Sequence, residues 1–264
     1  MCIAVAKRKG FEIPSKEILK ACWDNNPDGA GIMFNDGIEV HGYKGFTTFK
    51  GFYKFLKRID NQYNLKEKDL VLHFRIATHG GICRENTHPF PVSNVDKELQ
   101  SLDWNSQYGF AHNGIIFGYG SKTQGGLSDT MEYIKYIINS IPCLEEAETL
   151  LHNLACEHSS RFVTMTKDNI LLGGDWKEDD GIYYSNGTYI SYKPTVNYKW
   201  DFKWDKKYGT YNDYYIDDYK EVDDMDELEV CDECNKITSK LYNYSGMNIC
   251  SDCLDMYESI LLNK

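Results

Sequence analysis

Four short stretches of the sequence carry side chains that together could cleave an amide. Removal of Met1 would give Cys2 a free α-amine beside its thiol, which makes it a candidate N-terminal nucleophile. Arg75 is a cation on an apolar predicted strand, His112-Asn113-Gly114 interrupts another strand, and Ser128-Asp129-Thr130 opens a predicted helix. Cleaving the side-chain amide of free glutamine needs a nucleophile, a base, oxyanion donors, a cation for the α-carboxylate and an anion for the α-ammonium. These stretches offer a candidate for each.

A second group of reactive residues lies near the C-terminus. The chain has nine cysteines, and four of them form two Cys-x2-Cys pairs separated by fifteen residues: Cys231, Cys234, Cys250 and Cys253. Two such pairs can supply four thiolates to one tetrahedral zinc ion, so we expect structural zinc. Redox-active or incidental pairs are the alternative. A hairpin expected around Ser245-Gly246 and a short helix after the last cysteine are typical of a zinc-ribbon or treble-clef module.

The elements that would position the first group begin with strands and helices in alternation. Cys2–Ala6 is short, apolar and partly β-branched, which predicts a buried strand. Ser15 is placed to cap a helix, and Asn35-Asp36-Gly37 is typical of the turn between two strands. Thr48–Ile59 has the spacing of a second amphipathic helix. In the strand predicted over Leu70–Thr78, one face is fully apolar and the other carries His73 and Arg75, because successive side chains alternate.

Later segments add the helices in the middle of the chain and the strands that close it. Tyr108–Phe117 predicts a strand interrupted at His112-Asn113-Gly114, and helices are predicted over Asp129–Asn139 and Leu144–Leu154. Hairpins are then expected around Lys167-Asp168-Asn169 and Asn186-Gly187. Strands at both ends with helices between them predict an α+β fold whose terminal strands pair in the centre of a layered sandwich.

Composition limits the classes of function. The 264 residues carry a formal net charge of −11, which does not favour non-specific binding to nucleic acid. No apolar run approaches the roughly 20 residues of a membrane span, and the N-terminus lacks the pattern of a secretory signal, so we expect a cytoplasmic protein. We expect a main domain at 1–200, an acidic linker at 201–229 with eleven Asp or Glu against four Lys or Arg, and the cysteine module at 230–264.

Six motifs in order resemble those of the class II glutamine amidotransferases, over about residues 2–195. The resemblance implies a four-layer αββα sandwich of the N-terminal-nucleophile hydrolases, which needs no zinc module of its own. Two departures from the family pattern are Ile3, where glycine commonly follows the nucleophile, and Ile76, where tryptophan is usual. The matching stretches are Met1-Cys2, Pro27-Asp28-Gly29-Ala30-Gly31-Ile32, His73-Phe74-Arg75-Ile76-Ala77-Thr78-His79-Gly80, Asn86-Thr87-His88-Pro89, Ala111-His112-Asn113-Gly114 and Ser128-Asp129-Thr130.

The resemblance also implies a role for individual residues. Cys2 is the nucleophile and its α-amine is the base, while Asn113 and Gly114 hold the oxyanion. Arg75 binds the substrate α-carboxylate and Asp129 the α-ammonium. Thr78 and His79 are further candidates for binding the substrate. Plainer roles stay open: a structural ion pair for Arg75, a first-turn carboxylate for Asp129, and a tight turn at Asn113-Gly114. We expect His73, His79, His88 and His112 to be structural hydrogen-bonding residues rather than bases, since the α-amine already fills that role.

These observations favour a glutaminase subunit that hydrolyses L-glutamine and delivers ammonia to a separate synthase or ligase. Residues 201–264 are too few for a synthase domain, and neither a phosphate-binding loop nor a dinucleotide fingerprint occurs. The acidic segment and the zinc module are candidates for docking that partner. Two alternatives are a non-catalytic binding protein on the same fold and an N-terminal-nucleophile hydrolase of another amide.

Overall fold

A computed structural model describes residues 2–76, 83–120 and 126–190, and in the C-terminal part residues 229–230, 237–238, 241–244, 247–251 and 254. Its strands are β1 (Ile3–Lys7), β2 (Ala30–Asn35), β3 (Val40–Phe46), β4 (Leu70–Phe74), β5 (Phe90–Pro91), β6 (Asp103–Ser106), β7 (Tyr108–Asn113), β8 (Arg161–Thr166), β9 (Ile170–Gly173), β10 (Lys177–Asp179), β11 (Ile182–Tyr184), β12 (Glu229–Val230), β13 (Ile237–Thr238), β14 (Tyr242–Tyr244) and β15 (Met247–Ile249). Its α-helices are α1 (Lys16–Asn25), α2 (Phe49–Tyr63), α3 (Asp96–Gln100), α4 (Asp129–Tyr136) and α5 (Glu148–Glu157), and 3₁₀ turns lie at Leu65–Glu67, Arg84–Asn86, Ile138–Ser140 and Leu144–Glu146.

The first strand lies inside the larger of two antiparallel sheets. That sheet has seven strands in the order β10-β11-β1-β4-β2-β3-β6, and the second has four in the order β5-β7-β8-β9. On one side of β1, Val5 pairs with Tyr184 of β11, and on the other Ile3 pairs with Phe74 of β4. The prediction that the two ends of the domain pair in the centre of a sheet is therefore confirmed.

Helices α1 and α2 cover the outer face of the seven-stranded sheet. Leu19 and Cys22 of α1 and Phe52 and Leu56 of α2 pack with the alternate strand residues that face them, including Ile3. The helices begin where the sequence predicts, because the side chains of Ser15 and Thr48 accept hydrogen bonds from the backbone of the first turn. The isoleucine that departs from the family pattern thus belongs to the apolar core.

The inner faces of the two sheets pack against each other, and α4 and α5 cover the far side of the four-stranded sheet. Ala6, Met33 and Val71 of the first sheet contact the apolar layer formed with Val163 and Met165 of the second. The outer cluster joins Phe110 and Phe162 with side chains of α4 and α5. The order is helix, sheet, sheet, helix, which confirms an α+β fold with four layers for the described part of residues 2–190.

Strand β4 is shorter than predicted, and β7 ends at the predicted interruption. The alternation of β4 is confirmed, with Leu72 packed toward the helices and Val71 toward the second sheet, but β4 ends at Phe74 rather than at Thr78. Strand β7 ends at Asn113, and the next residue, Gly114, has a positive φ of 150°, a conformation that favours glycine. The sequence alone does not reveal where pairing stops, since the partner strands determine it.

The helical predictions after residue 128 were correct in place and wrong in length. Helix α4 ends at Tyr136 and continues as a 3₁₀ turn, while the predicted helix over Leu144–Leu154 is divided into a 3₁₀ turn and α5. Cys143, just before the 3₁₀ turn at Leu144–Glu146, has a positive φ of 50°. Such a backbone conformation ends one element and begins another, and residue types do not announce it.

The hairpin expected around Asn186-Gly187 was wrong in its strands. Strand β11 pairs with β10, which precedes it, and residues 188–190 are not extended. The Asn186 side chain accepts a hydrogen bond from the Thr188 backbone at 3.0 Å and donates another to Cys2 at 2.6 Å. These contacts hold the segment as a local turn against the start of the chain.

The described C-terminal residues form two short antiparallel pairs, β12 with β13 and β14 with β15. The hairpin predicted around Ser245-Gly246 is confirmed by the pairing of Tyr244 with Met247. The helix expected after Cys253 lies outside the described residues except for Leu254. Among the residues that the structure describes, no helix has the length and apolar character needed to cross a bilayer.

Candidate active site

The predicted nucleophile directly precedes β1 and is held by main-chain groups of Ile76, two residues after the end of β4. The Ile76 N–H donates to the Cys2 Sγ at 3.4 Å, and the thiol lies 3.5 Å from the Ile76 carbonyl oxygen. Both contacts use the backbone of Ile76, so a side chain other than the family's tryptophan leaves them intact. The carbonyl oxygen of Cys2 accepts the Asn186 side-chain amide at 2.6 Å. The residue is therefore fixed at both its side chain and its main chain.

The electrostatic setting of Cys2 keeps the thiol protonated. Burial raises its pKa, against the opposing effects of the Ile76 N–H and of the Arg75 guanidinium. A neutral thiol is a weak nucleophile, because the thiolate is the reactive form. Chemistry at this residue therefore requires a base close to the sulfur.

Arg75 directly follows β4, beside the strand end that carries Cys2. Ile3 pairs with Phe74, so the next step along that register brings Cys2 and Arg75 opposite each other. The Arg75 backbone is bound on both sides: its N–H donates to Gly29 at 2.8 Å, and its carbonyl accepts from Asp28 at 2.9 Å. The side chain is 7% exposed. The backbone contacts give the Asp-Gly part of the sequence motif a role in fixing this cation.

A glycine of the same motif permits the close approach of a second loop. A Cβ at Gly31 would lie 2.0 Å from the carbonyl oxygen of His88, so the loop that carries His88 could not pack on β2 with a larger residue. The motifs around Gly31 and His88, which the sequence only places in order, are therefore in direct contact. This contact brings His88 to the inner face of the first sheet.

The predicted oxyanion donors lie at the end of β7, on the second sheet. The side-chain nitrogen of Asn113 donates to Ser185 Oγ at 2.8 Å, and the same oxygen accepts the backbone N–H of Ala4 at 2.8 Å. One serine hydroxyl thus joins the strand of the nucleophile to Asn113. An amide nitrogen has two N–H groups, so the second is left for a substrate. A Cβ at Gly114 would lie 2.1 Å from Ser160 Oγ, which makes glycine necessary there.

Asp129 lies in the first turn of α4, after the capping Ser128, whose hydroxyl accepts the Met131 N–H at 3.2 Å. One carboxylate oxygen of Asp129 accepts the N–H of Thr130 at 2.8 Å, and the other accepts the N–H of Ile116 at 3.0 Å. Ile116 is two residues beyond Gly114. A carboxylate accepts about four hydrogen bonds, so capacity remains for a bound ammonium group.

Three histidines form a buried polar cluster behind these residues. His73 Nε2 lies 3.2 Å from the carbonyl oxygen of His112, and Thr130 Oγ1 lies 3.1 Å from both His88 Nε2 and His112 Nδ1. Burial lowers the pKa of His73 to about 3 and that of His112 to about 4, and it lowers the pKa of His88 well below its usual value. The cluster is neutral at physiological pH, as expected of structural hydrogen-bonding residues.

The described candidates form one continuous network. The network runs from Arg75 through Cys2, Ser185 and Asn113 to Asp129. Its links are the hydrogen bonds given above, joined where necessary by one to three residues of backbone. Thr78, His79, Cys231, Cys234 and Cys253 lie outside the described residues. Cys250 is described and is 2% exposed, directly after β15.

Sequence reasoning missed Ser185 and Asn186, which hold Asn113 and Cys2. The Asn186-Gly187 dipeptide was the available signal, and it predicted a turn of no chemical role.

Two surface cavities of about 210 and 440 Å³ share the segment Glu12–Ser15 among their lining residues. Neither cavity is lined by Cys2, Arg75, Asn113 or Asp129.

Comparison with known proteins identifies relatives for the first half of the chain. Residues 1–133, half of its length, match the family model described as "Glutamine amidotransferases class-II". "Putative glutamine amidotransferase YafJ" of Escherichia coli (strain K12) is 35% identical over 102 residues, which are 37% of this chain and 34% of that protein. A "Putative glutamine amidotransferase" of Haemophilus influenzae is 33% identical over 93 residues, 35% of this chain and 28% of that protein. The match thus spans about a third of the length of these relatives.

Two solved structures are also similar. One is described as the allosteric regulatory enzyme of purine biosynthesis, with a TM-score of 0.42 and 17% identity. The other is the glutamine phosphoribosylpyrophosphate amidotransferase of B. subtilis in complex with ADP and GMP, with a TM-score of 0.40 and 16% identity. Each match covers 70% of this chain and 41% of the other.

Proposed function

Because this chain belongs to the class-II glutamine amidotransferases, we propose that it hydrolyses the side-chain amide of L-glutamine with Cys2 as nucleophile, once Met1 has been removed. The observation that carries the proposal is the double clamp on Cys2. Its sulfur contacts the backbone of Ile76, beside Arg75, and its strand is joined by Ser185 to Asn113. A merely structural cysteine at the start of a chain needs none of these contacts.

The reaction requires the α-amine that removal of Met1 creates. At pH 7 even an ordinary thiol, with a pKa of about 8.5, is only about 3% thiolate, and burial reduces this fraction further. The α-amine, with a pKa of about 8, accepts the thiol proton as sulfur bonds to the carboxamide carbon. It then protonates the leaving nitrogen, and ammonia departs as the C–N bond breaks. Water hydrolyses the thioester, giving glutamate and restoring the thiol.

The oxyanion of both tetrahedral intermediates would be held by Asn113 and Gly114. The free N–H of the Asn113 amide and the backbone N–H of Gly114 are at the end of β7, joined to the nucleophile strand through one hydroxyl. Removal of one such donor typically lowers the rate by about 100- to 1000-fold.

A two-point clamp accounts for the choice of a free amino acid. The guanidinium of Arg75 can bind the α-carboxylate with two parallel hydrogen bonds, and Asp129 can bind the α-ammonium with its remaining acceptor capacity. We include Thr78 and His79 among the substrate contacts on the resemblance alone. An amide that lacks these two charged groups would make neither contact and would bind more weakly.

We further propose that the ammonia passes to a separate synthase or ligase in the cytoplasm. We assign the region 230–264 as a zinc module in which Cys231, Cys234, Cys250 and Cys253 supply four thiolates. The near-complete burial of Cys250 at the end of the β14–β15 hairpin supports this assignment, since a hairpin leading into a cysteine pair is the geometry of a zinc knuckle. The many acidic residues of 201–229 favour a protein partner over nucleic acid.

Labelling with a diazo-ketone analogue of glutamine tests the nucleophile. Intact-protein mass spectrometry should find a chain without Met1 that gains one adduct, and peptide mapping should place it on Cys2. Cys156→Ala removes an exposed thiol outside the site and should label fully, whereas Cys2→Ala should not label. Absence of an adduct on chains confirmed to lack Met1 would refute the proposal.

Turnover by an Arg75 variant distinguishes glutamine from another amide as the substrate. Arg75→Ala should raise KM for glutamine strongly. Cys2 should still react with a small alkylating reagent, but more slowly, because the guanidinium no longer lowers its pKa. Unchanged turnover of glutamine would instead favour an N-terminal-nucleophile hydrolase of another amide.

A further inference from the structure

Thr130 lies at the junction of the substrate-binding carboxylate and the histidine cluster. Its hydroxyl oxygen is 3.3 Å from Asp129 Oδ1, 3.1 Å from His88 Nε2 and 3.1 Å from His112 Nδ1. The residue is 1% exposed. Burial at this level excludes bulk water. The hydroxyl must therefore make its hydrogen bonds to these three neighbours.

The protons of this junction can be assigned from valence. A hydroxyl donates one hydrogen bond and accepts two, and an ionised carboxylate only accepts. The Thr130 proton therefore points to Asp129, and its two lone pairs accept N–H groups from His88 and His112. This assigns the Nε2–H tautomer to His88 and the Nδ1–H tautomer to His112. His73 must carry its proton on Nε2, because its partner there is a carbonyl oxygen.

An independent observation agrees with this assignment. Among the residues that the structure describes, His73 Nδ1 and His88 Nδ1 are buried without a hydrogen-bond partner. In the tautomers assigned above, both atoms are bare acceptors. The opposite tautomers would bury two unpaired N–H groups and would also remove the donors at His73 Nε2 and His88 Nε2, which face oxygen atoms.

We propose that Thr130 is a positioning residue of the glutaminase site, whose hydroxyl couples the carboxylate of Asp129 to the oxyanion strand through His112. This inference rests on the proposed function and adds a residue that holds both ends of the bound substrate in register. Thr130 orients the Asp129 oxygen that its own N–H also binds. It fixes the imidazole of His112, whose carbonyl is held by His73 and whose next residue is Asn113.

The test compares Thr130→Val, which removes only the hydroxyl function, with Thr130→Ser, which retains it. Thr164→Val is the matched control, because Thr164 is fully buried on β8 and its hydroxyl has no partner among the described residues. Thr130→Ala, which leaves space instead of a methyl group, is a second variant that keeps the test available if valine prevents folding.

Nitrogen-15 NMR of histidine-labelled protein reports the tautomers without any need for activity. The wild type should show the three assigned neutral tautomers near pH 7. Thr130→Val or Thr130→Ala should change the signals of His88 and His112, while Thr130→Ser and Thr164→Val should preserve them. If His88 and His112 keep their tautomers in Thr130→Val, the proposal is wrong. This outcome can be read whether or not the wild type hydrolyses glutamine, so it is distinct from failure of the proposed function.

Steady-state kinetics separate positioning from general damage. Loss of one charge-assisted contact to Asp129 should raise KM for glutamine by about tenfold in Thr130→Val, with a smaller loss in kcat. Thr130→Ser should restore most of the wild-type KM. A lower kcat with unchanged KM would indicate only fewer folded molecules, and would overturn the positioning role.

Discussion

Acidification from pH 7 to pH 5 should destabilise this protein through its buried histidines. His73 and His112 have a pKa of about 3 and about 4 in the folded protein, against about 6.5 for a histidine in an unfolded chain. Desolvation is the largest cause for both. The cation of Arg75 adds to the effect at His73, while Asp129 opposes it at His112.

The sign follows from proton uptake. Since the folded pKa values are depressed, the unfolded chain binds protons first as the pH falls. The full stabilisation is present above pH 6.5, and it is lost between pH 6.5 and about 4 for His112 or about 3 for His73. At pH 5 each histidine lowers the free energy of unfolding by about 2 kcal/mol relative to pH 7. The two together give about 4 kcal/mol, a large part of the 5–15 kcal/mol typical of a domain.

The chosen pH range lies above the ordinary pKa of a carboxyl group. Burial raises the pKa of Asp103, which therefore acts in the opposite direction to the histidines. Asp36, whose hydrogen bonds to the backbone and to His41 lower its pKa to about 2 despite opposing desolvation, loses its contribution only below about pH 3.8. Lys7, whose pKa burial lowers to about 8, changes charge above the range. His88 acts in the same direction as the other two buried histidines.

Urea unfolding at pH 7, 6 and 5, followed by tryptophan fluorescence, measures the predicted change. The slope m should stay constant, so that the midpoint reports stability. His73→Gln keeps a donor toward the His112 carbonyl but removes one titrating group, and should reduce the loss between pH 7 and 5 by about 2 kcal/mol. His152→Gln, on the exposed face of α5, should not. A pH-independent stability, or an equal loss in His73→Gln and wild type, would refute the reasoning.

Two further predictions concern Gly114 and the proposed zinc module. Gly114→Ala should lower the free energy of unfolding by about 2–4 kcal/mol, because Gly114 has a positive φ of 150° and an added Cβ would lie 2.1 Å from Ser160 Oγ. In a double-mutant cycle, Ser160→Gly should recover part of this loss. Strictly additive effects of the two substitutions would contradict the close contact. The purified protein should contain one zinc ion per chain by elemental analysis, and Cys250→Ser should lower the zinc content and leave labelling of Cys2 intact; full zinc occupancy in that variant would contradict the ligand assignment.

Local signals in the sequence predicted most of the elements. The capping residues Ser15 and Ser128 gave correct helix starts, because a cap acts within its own first turn. The alternation in β4 assigned its two faces correctly, since the period of a strand is fixed by geometry. These features depend on neighbours three or fewer residues away.

Contacts between distant residues were the ones that sequence reasoning missed. Asn186 binds a carbonyl 184 residues away, and this contact overrides the hairpin that its own dipeptide favours. Lys44, fully buried, donates to the carbonyls of Glu85 and Leu99 at 2.9 and 2.7 Å, where a charged residue on a strand would ordinarily face water. Strand β10 consists of exposed charged residues and is extended only because β11 pairs with it.

The position of Cys2 in the sheet explains how one residue can serve both the fold and the proposed chemistry. The described pairing of β1 begins at Ile3, with Phe74, and continues to Lys7, with Leu70. Cleavage of the Met1–Cys2 bond therefore removes no hydrogen bond of this ladder. Among the described residues, the contacts that hold Cys2 run through its sulfur and its carbonyl oxygen, and neither involves the nitrogen that cleavage would free. The mechanism proposed above, in which the α-amine of Cys2 is the base, is therefore compatible with removal of Met1 after folding.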